Sequence, residues 1–216
     1  MYVRQEFAET RTDVLHSLMR SFPLCTLVTH SDANGLDAQH VPIIVQEHPK
    51  PFGSLQGHIA RANPLCQEID GESEVLAIFH GPQAYISPSW YATKGMNGKV
   101  VPTWNYAVVH AYGSLRLLDD PQWLRTQIQA ITAENERLSS TPWQVNDAPK
   151  DFIDKMMGAI IGVEITVTRL LGKWKVSQNQ PIINQKSVVA GLQTQGRQEI
   201  ATAMADLVAA HIKSEL

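Results

Sequence analysis

Val101-Pro102-Thr103-Trp104-Asn105-Tyr106-Ala107-Val108-Val109-His110-Ala111-Tyr112-Gly113-Ser114-Leu115-Arg116-Leu117-Leu118 reads as one long strand, and the two residue sets that alternate along it decide the architecture. Thr103, Asn105, Ala107, Val109, Ala111 and Gly113 are all small or medium; Trp104, Tyr106, Val108, His110 and Tyr112 are mostly large. Successive side chains of a strand point to opposite faces, so segregation by size means that the two faces meet different surroundings. The small face permits close approach by a ligand or a facing strand. The bulky face covers something larger, such as a subunit interface or a barrel interior.

Working outward, the elements on either side are short and β-rich. Val14, Leu15, Leu18 and Met19 recur at helical spacing after Thr12 or Asp13, and Pro23 stops that helix. Leu24 to His30 is a strand, Ser31-Asp32-Ala33-Asn34-Gly35 a tight reversal, and Gln39 to Gln46 the return strand, with Pro42 marking an edge or a bulge. Ser54 to Ile59 is a third strand, followed by a short helix from about Ala62 to Ile69. Glu74 to Phe79 and Gln83 to Ser87 read as two strands separated by Gly81-Pro82, and Pro88 to Lys99 as a polar loop. Beyond the long strand come helices at Gln122 to about Leu138 (opened by Pro121) and Lys150 to Met157, then a last strand from Gly162 to Leu171 that runs on through Gly172-Lys173-Trp174-Lys175. Gln198 to Ile212 reads as an amphipathic terminal helix with Ile200, Met204, Leu207, Val208 and Ile212 on one face. Six or seven strands in mostly short-turn order, with helices inserted and appended, predict a mainly β, α+β chain built on an antiparallel barrel. The barrel is expected over residues 1–180, with helices inserted at about 121–158, and residues 181–216 as a helical extension.

Composition excludes some functions. With 44% hydrophobic and 18% charged residues the chain is an ordinary globular one, and its net charge of -3 offers no global attraction for DNA or anionic lipid. No apolar stretch is long enough to span a membrane, no apolar signal core follows Met1, and the compartment expected is the cytoplasm. Cys25 and Cys66 read as two buried free thiols. His30, His40, His58, His80 and His110 show no metal-ligand spacing, so no metal is expected. No Gly-rich phosphate loop is present, and a nucleotide must be bound in another way.

Four constellations carry polar or aromatic chemistry. Gly57 to Pro64 sets His58, Arg61 and Asn63 at a strand end and the opening of a short helix, where amides and a guanidinium suit an anion. The plainer reading makes Arg61 a surface charge and Asn63 a helix cap. Gly81 to Tyr91 gathers Ser87, Ser89 and aromatic rings, which suit a planar heteroaromatic ligand; the plainer reading, a tyrosine-rich core strand with a stiff loop, is favoured on spacing alone. Thr103 and Asn105 share the small face of the long strand. Lys173 and Lys175 flank Trp174, with Gln178 close behind.

In this order GHIARANP (57–64), FHGPQAYISPSWY (79–91), VPTWNYAVVHAY (101–112) and GKWKVSQN (172–179) resemble the blocks of the PaiB-like family of FMN-binding negative transcriptional regulators, over essentially the full chain. The resemblance implies a split β-barrel related to the pyridoxamine-phosphate-oxidase-like flavoproteins, and a homodimer with FMN at the subunit interface. It puts His58, Arg61 and Asn63 near the phosphate, with Ser87 and Ser89 as further candidates. It puts Thr103, Trp104 and Asn105 near the isoalloxazine, and has Lys173, Trp174, Lys175 and Gln178 reach in from the partner subunit. One departure stands out: Arg61 is the only obvious cation in the junction. The alternative is a flavin-dependent oxidoreductase acting on a small molecule, with Tyr85, Tyr91 and His110 as candidate proton donors or acceptors. Haem handling ranks last, because no single histidine stands out as an axial ligand.

Overall fold

The computed structural model describes residues 1–32, 34–69, 72–194 and 198–214, and only the backbone of 97, 198–200 and 214. The chain runs β1 (Ala8–Glu9), α1 (Thr12–Ser21), β2 (Leu24–Ser31), β3 (Gly35–Pro42), β4 (Ile44–Gln46), β5 (Ser54–Ala60), α2 (Leu65–Glu68), β6 (Ser73–Ile86), α3 (Lys94–Asn97), β7 (Thr103–Leu118), α4 (Pro121–Glu136), α5 (Lys150–Gly158), β8 (Ile160–Lys175), α6 (Ile182–Gln193) and α7 (Gln198–Ser214).

The strands form one antiparallel sheet in the order β3-β2-β6-β7-β8-β5-β4, with β1 against β8. Its two ends, β3 and β4, are consecutive in sequence. Ile43 alone separates them and donates its N–H to the Pro23 carbonyl at 2.9 Å. The expected return strand is therefore broken just after Pro42, which ends the edge strand. β5 comes back alongside β3, and a Cβ on Gly57 would lie 2.8 Å from the Pro42 carbonyl oxygen, so glycine is what lets the strands approach. The result is the expected split β-barrel with appended helices.

By contacts the chain groups into two compact units. One comprises residues 16–79 and 110–170, the other 1–15, 80–109 and 171–216. The first is centred on Leu27, Leu55, Phe79, Leu115 and Ile165, all fully buried. The second is centred on Ile86, Tyr91, Val176, Val188, Leu192, Met204 and Val208. Full burial of one such aliphatic or aromatic side chain contributes about 1.5–3 kcal/mol. On α7, Met204, Val208 and Ile212 are buried and Leu207 packs against them; Ile200 and Ala33 lie outside the residues whose side chains are described.

Three elements differ from expectation for identifiable reasons. Gly81-Pro82 does not split β6, because β2 pairs with it only through Leu76–Ile78 and Pro82 lies past that ladder. The short helix shrinks to Leu65–Glu68, with Asn63 Oδ1 accepting the Leu65 N–H at 3.0 Å ahead of it. α6 falls within the helical extension expected over 181–216 but was not delimited there, because Asn184 and Gln185 occupy buried positions and hide its apolar period. Among the described residues no helix is long and apolar enough to cross a membrane.

Both cysteines are free. Cys25 is buried, and burial pushes its thiol up to about 12, whereas Cys66 is half-exposed. A thiol reagent is expected to label Cys66 in the native protein and Cys25 only after unfolding, since only the thiolate reacts. Labelling of both at equal rates would show that the barrel opens freely.

Candidate functional site

The structure settles which face of β7 is which. The small set turns inward: Asn105, Ala107, Val109 and Ala111 are buried, whereas Trp104 is 52% exposed. On the neighbouring strand β6, Tyr85 is 42% exposed between buried Ala84 and Ile86. The rings of Tyr85 and Trp104 meet edge to face, centroids 6.1 Å apart at 72°, as aromatic quadrupoles favour. The solvent-facing side of this unit is thus the bulky one.

β8 adds cations to it. Lys173 and Lys175 lie two residues apart on one face, while Trp174 between them packs on the core of the unit. Lys173 Nζ sits 5.3 Å from the Tyr106 ring centroid and donates to the Tyr2 carbonyl at 3.2 Å. Lys175 Nζ donates to Thr103 Oγ1 and to the Trp104 carbonyl. Among the described residues neither ammonium has a carboxylate within ion-pair distance.

The end of β8 is held rigidly. Gln178 closes a loop on its own backbone, accepting the Val176 N–H at 2.7 Å and donating to the Trp174 carbonyl. Ser177 adopts φ 69, a left-handed conformation that costs a non-glycine residue about 1–3 kcal/mol. Its Oγ accepts from Asn105 Nδ2 at 2.8 Å, while Asn105 Oδ1, fully buried, has no partner among the described residues. Ser87 caps the turn Pro88–Trp90, accepting the Ser89 N–H at 3.2 Å, with the two hydroxyl oxygens 2.6 Å apart. The segments carrying Thr103, Trp104, Asn105, Lys175 and Ser177 therefore meet within one chain, without a partner subunit.

Burial first and Lys173 second pull the Lys175 ammonium below the ordinary lysine range. Between that lowered value and 10.5 the unfolded chain binds more protons than the folded one, so stability is expected to rise with pH through this window. Lys175→Met should lose that rise, and denaturant midpoints taken in steps up to pH 10.5 would show it. Parallel curves for the two proteins would mean that Lys175 titrates normally.

His58, Arg61 and Asn63 belong to the other unit, and each makes hydrogen bonds there. His58 Nδ1 and Gln127 Oε1 are 2.8 Å apart. Arg61 makes a two-pronged pair with Asp119 at 2.8 and 2.6 Å and donates to the Gly158 and Ile160 carbonyls, both at 3.1 Å. That pairing raises Arg61 above, and holds Asp119 below, their ordinary ranges. Besides capping α2, Asn63 donates to Gln39 Oε1 at 2.9 Å. These contacts seat α2, and the ends of α4 and α5, on the barrel. Asp119 and Gln127 were not foreseen as partners.

One signal in the sequence points to the lysine face. Residues 75–118 and 165–198 contain no Asp or Glu but do contain Lys94, Lys99, Arg116, Arg169, Lys173, Lys175, Lys186 and Arg197. The rest of the chain carries all 21 acids, so the modest net charge of -3 conceals a strong segregation.

The chain is similar to known proteins over most of its length. An uncharacterized protein of Emericella nidulans is 34% identical, the alignment covering 91% of this chain and 92% of that one. Protease synthase and sporulation protein PAI 2 of Bacillus subtilis is 26% identical over the whole of both. The solved FAD and heme binding protein of Mycobacterium smegmatis shares the fold, with a TM-score of 0.58 and 12% identity over 85% of this chain and 80% of that one. The model of the family described as "Putative FMN-binding domain" matches residues 1–169, ending just before Lys173. A phosphate dianion is bound well by a cation that no carboxylate neutralises, and a planar flavin ring packs well on an open aromatic surface. Lys173 at the Tyr106 ring and Lys175 at the Trp104 carbonyl supply the first, and exposed Trp104 with Tyr85 against its ring supplies the second. The chain belongs to this family of FMN-binding domains, and FMN is its cofactor.

Proposed function

We propose that the protein is an FMN-binding homodimer that acts as a negative transcriptional regulator, the flavin setting the state of the dimer. The observation that carries the reading is the pair of ammonium groups without counter-charge on an aromatic, solvent-facing sheet. Flavin supplies redox chemistry when bound. The chain's own residues hold and orient it: Lys173 and Lys175 present charge, Trp104 and Tyr85 a flat apolar wall, and Trp174 and Gln178 keep the strand end in place. Homodimerisation is supported by the resemblance and by Trp104, Tyr85 and Tyr2, which one chain leaves largely open to solvent. Contact with DNA is supported by the acid-free stretches, whose cations suit a phosphate backbone.

Purified protein mixed with FMN and desalted should retain the visible flavin bands; loss of all flavin would remove the reading. Binding of a DNA duplex should weaken steeply with salt, and indifference to duplex would leave regulation without direct contact. The openness of the aromatic face also supports the oxidoreductase reading, which turnover of NAD(P)H by the FMN-loaded protein would favour.

A further inference from the structure

We infer that Lys173 and Lys175, rather than the Arg61 junction, hold the phosphate of FMN; this rests on the FMN reading above. The first support is a count of free donors. A guanidinium has five N–H groups and an ammonium three. Arg61 spends four of its five, two on Asp119 and one each on the Gly158 and Ile160 carbonyls. A phosphate there must displace a carboxylate that already occupies the fork. Lys175 uses two donors, on Thr103 Oγ1 and the Trp104 carbonyl, and Lys173 uses one, on the Tyr2 carbonyl. Three N–H donors are left between them, on two cations close enough to repel each other.

The second support is electrostatic. Two like charges on neighbouring positions of one strand face, one of them half-buried, are unfavourable until an anion joins them. No carboxylate among the described residues does so, and the stretches that carry both lysines contain none at all. A phosphate dianion would supply the missing charge and accept from both ammonium groups. Charge-assisted bonds of this kind are the strong ones.

The third support is positional rigidity. Trp174 anchored on one side, the Gln178 loop and the Asn105–Ser177 bond fix the strand end, so the two ammonium groups are held before a ligand arrives.

The test compares FMN with riboflavin, which has the same ring and chain but no phosphate, by fluorescence titration at low salt. The wild type should bind FMN about tenfold or more tighter than riboflavin, and the preference should shrink with salt. Lys173→Met and Lys175→Met should each reduce the preference several-fold. The double variant should bring it to about unity while riboflavin affinity stays within about twofold, and Lys175→Arg should restore most of it. Thermal melts of every variant establish folding, and Lys175→Gln replaces any variant that fails. Arg61→Met should keep the preference, and Asp119→Asn, which frees the fork, should not strengthen FMN binding. A double lysine variant that still prefers FMN, or an Asp119→Asn variant that binds FMN much more tightly, would overturn the assignment and leave FMN binding intact. If wild type binds neither flavin, the FMN reading falls and the assignment with it.

Discussion

Gly113→Ala is expected to lower stability by about 3 kcal/mol or more, because overpacking at a rigid contact forces backbone movement. An added Cβ would overlap the Thr166 carbonyl oxygen on β8 and lie 2.8 Å from Ile165 Cγ2. The close neighbour is backbone inside a sheet, so no rotamer change relieves the clash. Gly95 is the control: a Cβ there meets nothing within 4 Å, and alanine should be neutral or slightly stabilising in α3. Urea midpoints of the two variants measure the contrast. If Gly113→Ala melted like wild type, the barrel would be more compliant than these contacts imply.

Asn184→Ala is the second large effect, expected to cost about 2–4 kcal/mol. Asn184 is 2% exposed, and its amide joins the start of α6 to the loop that follows Ser87 and Ser89. Oδ1 accepts the Thr93 N–H at 3.1 Å, while Nδ2 donates to Thr93 Oγ1 at 3.0 Å and Gln180 Oε1 at 3.2 Å. Truncation removes the partner of the Thr93 N–H and leaves a void, so two penalties act together. Amide exchange at Thr93 should accelerate along with the fall in the urea midpoint. Unchanged exchange would show that the Ala92 N–H bond to Ser187 Oγ, at 3.2 Å, suffices to hold the loop.

The binding chemistry was only partly legible in sequence. The resemblance had the Lys173-Trp174-Lys175 segment approach Trp104 from a partner subunit, whereas Lys175 reaches Thr103 and the Trp104 carbonyl within one chain. The direction of β7 was not legible: small residues fit a ligand-facing surface and a tightly packed interior equally well, and the burial of Asn105, Ala107, Val109 and Ala111, with Gly113 against Thr166, distinguishes them. The anion reading of Gly57 to Pro64 rested on residue types whose partners lie far along the chain. Asp119 is 58 residues from Arg61 and Gln127 is 69 from His58, and no local pattern reports such pairs.

The sequence by itself determined the turn at Gly35, the cap at Asn63, most of the strand succession and the family, since each depends on neighbours within a few residues or on long ordered blocks. Tertiary structure alone decided the joining of β6 through Pro82, the burial of α6 behind Asn184 and Gln185, the neutralisation of Arg61 by Asp119 and the placing of Lys173 and Lys175 without a counter-charge among the described residues. The reason is physical: backbone preference and periodicity act locally, whereas burial and ion pairing depend on groups that meet only when the sheet closes.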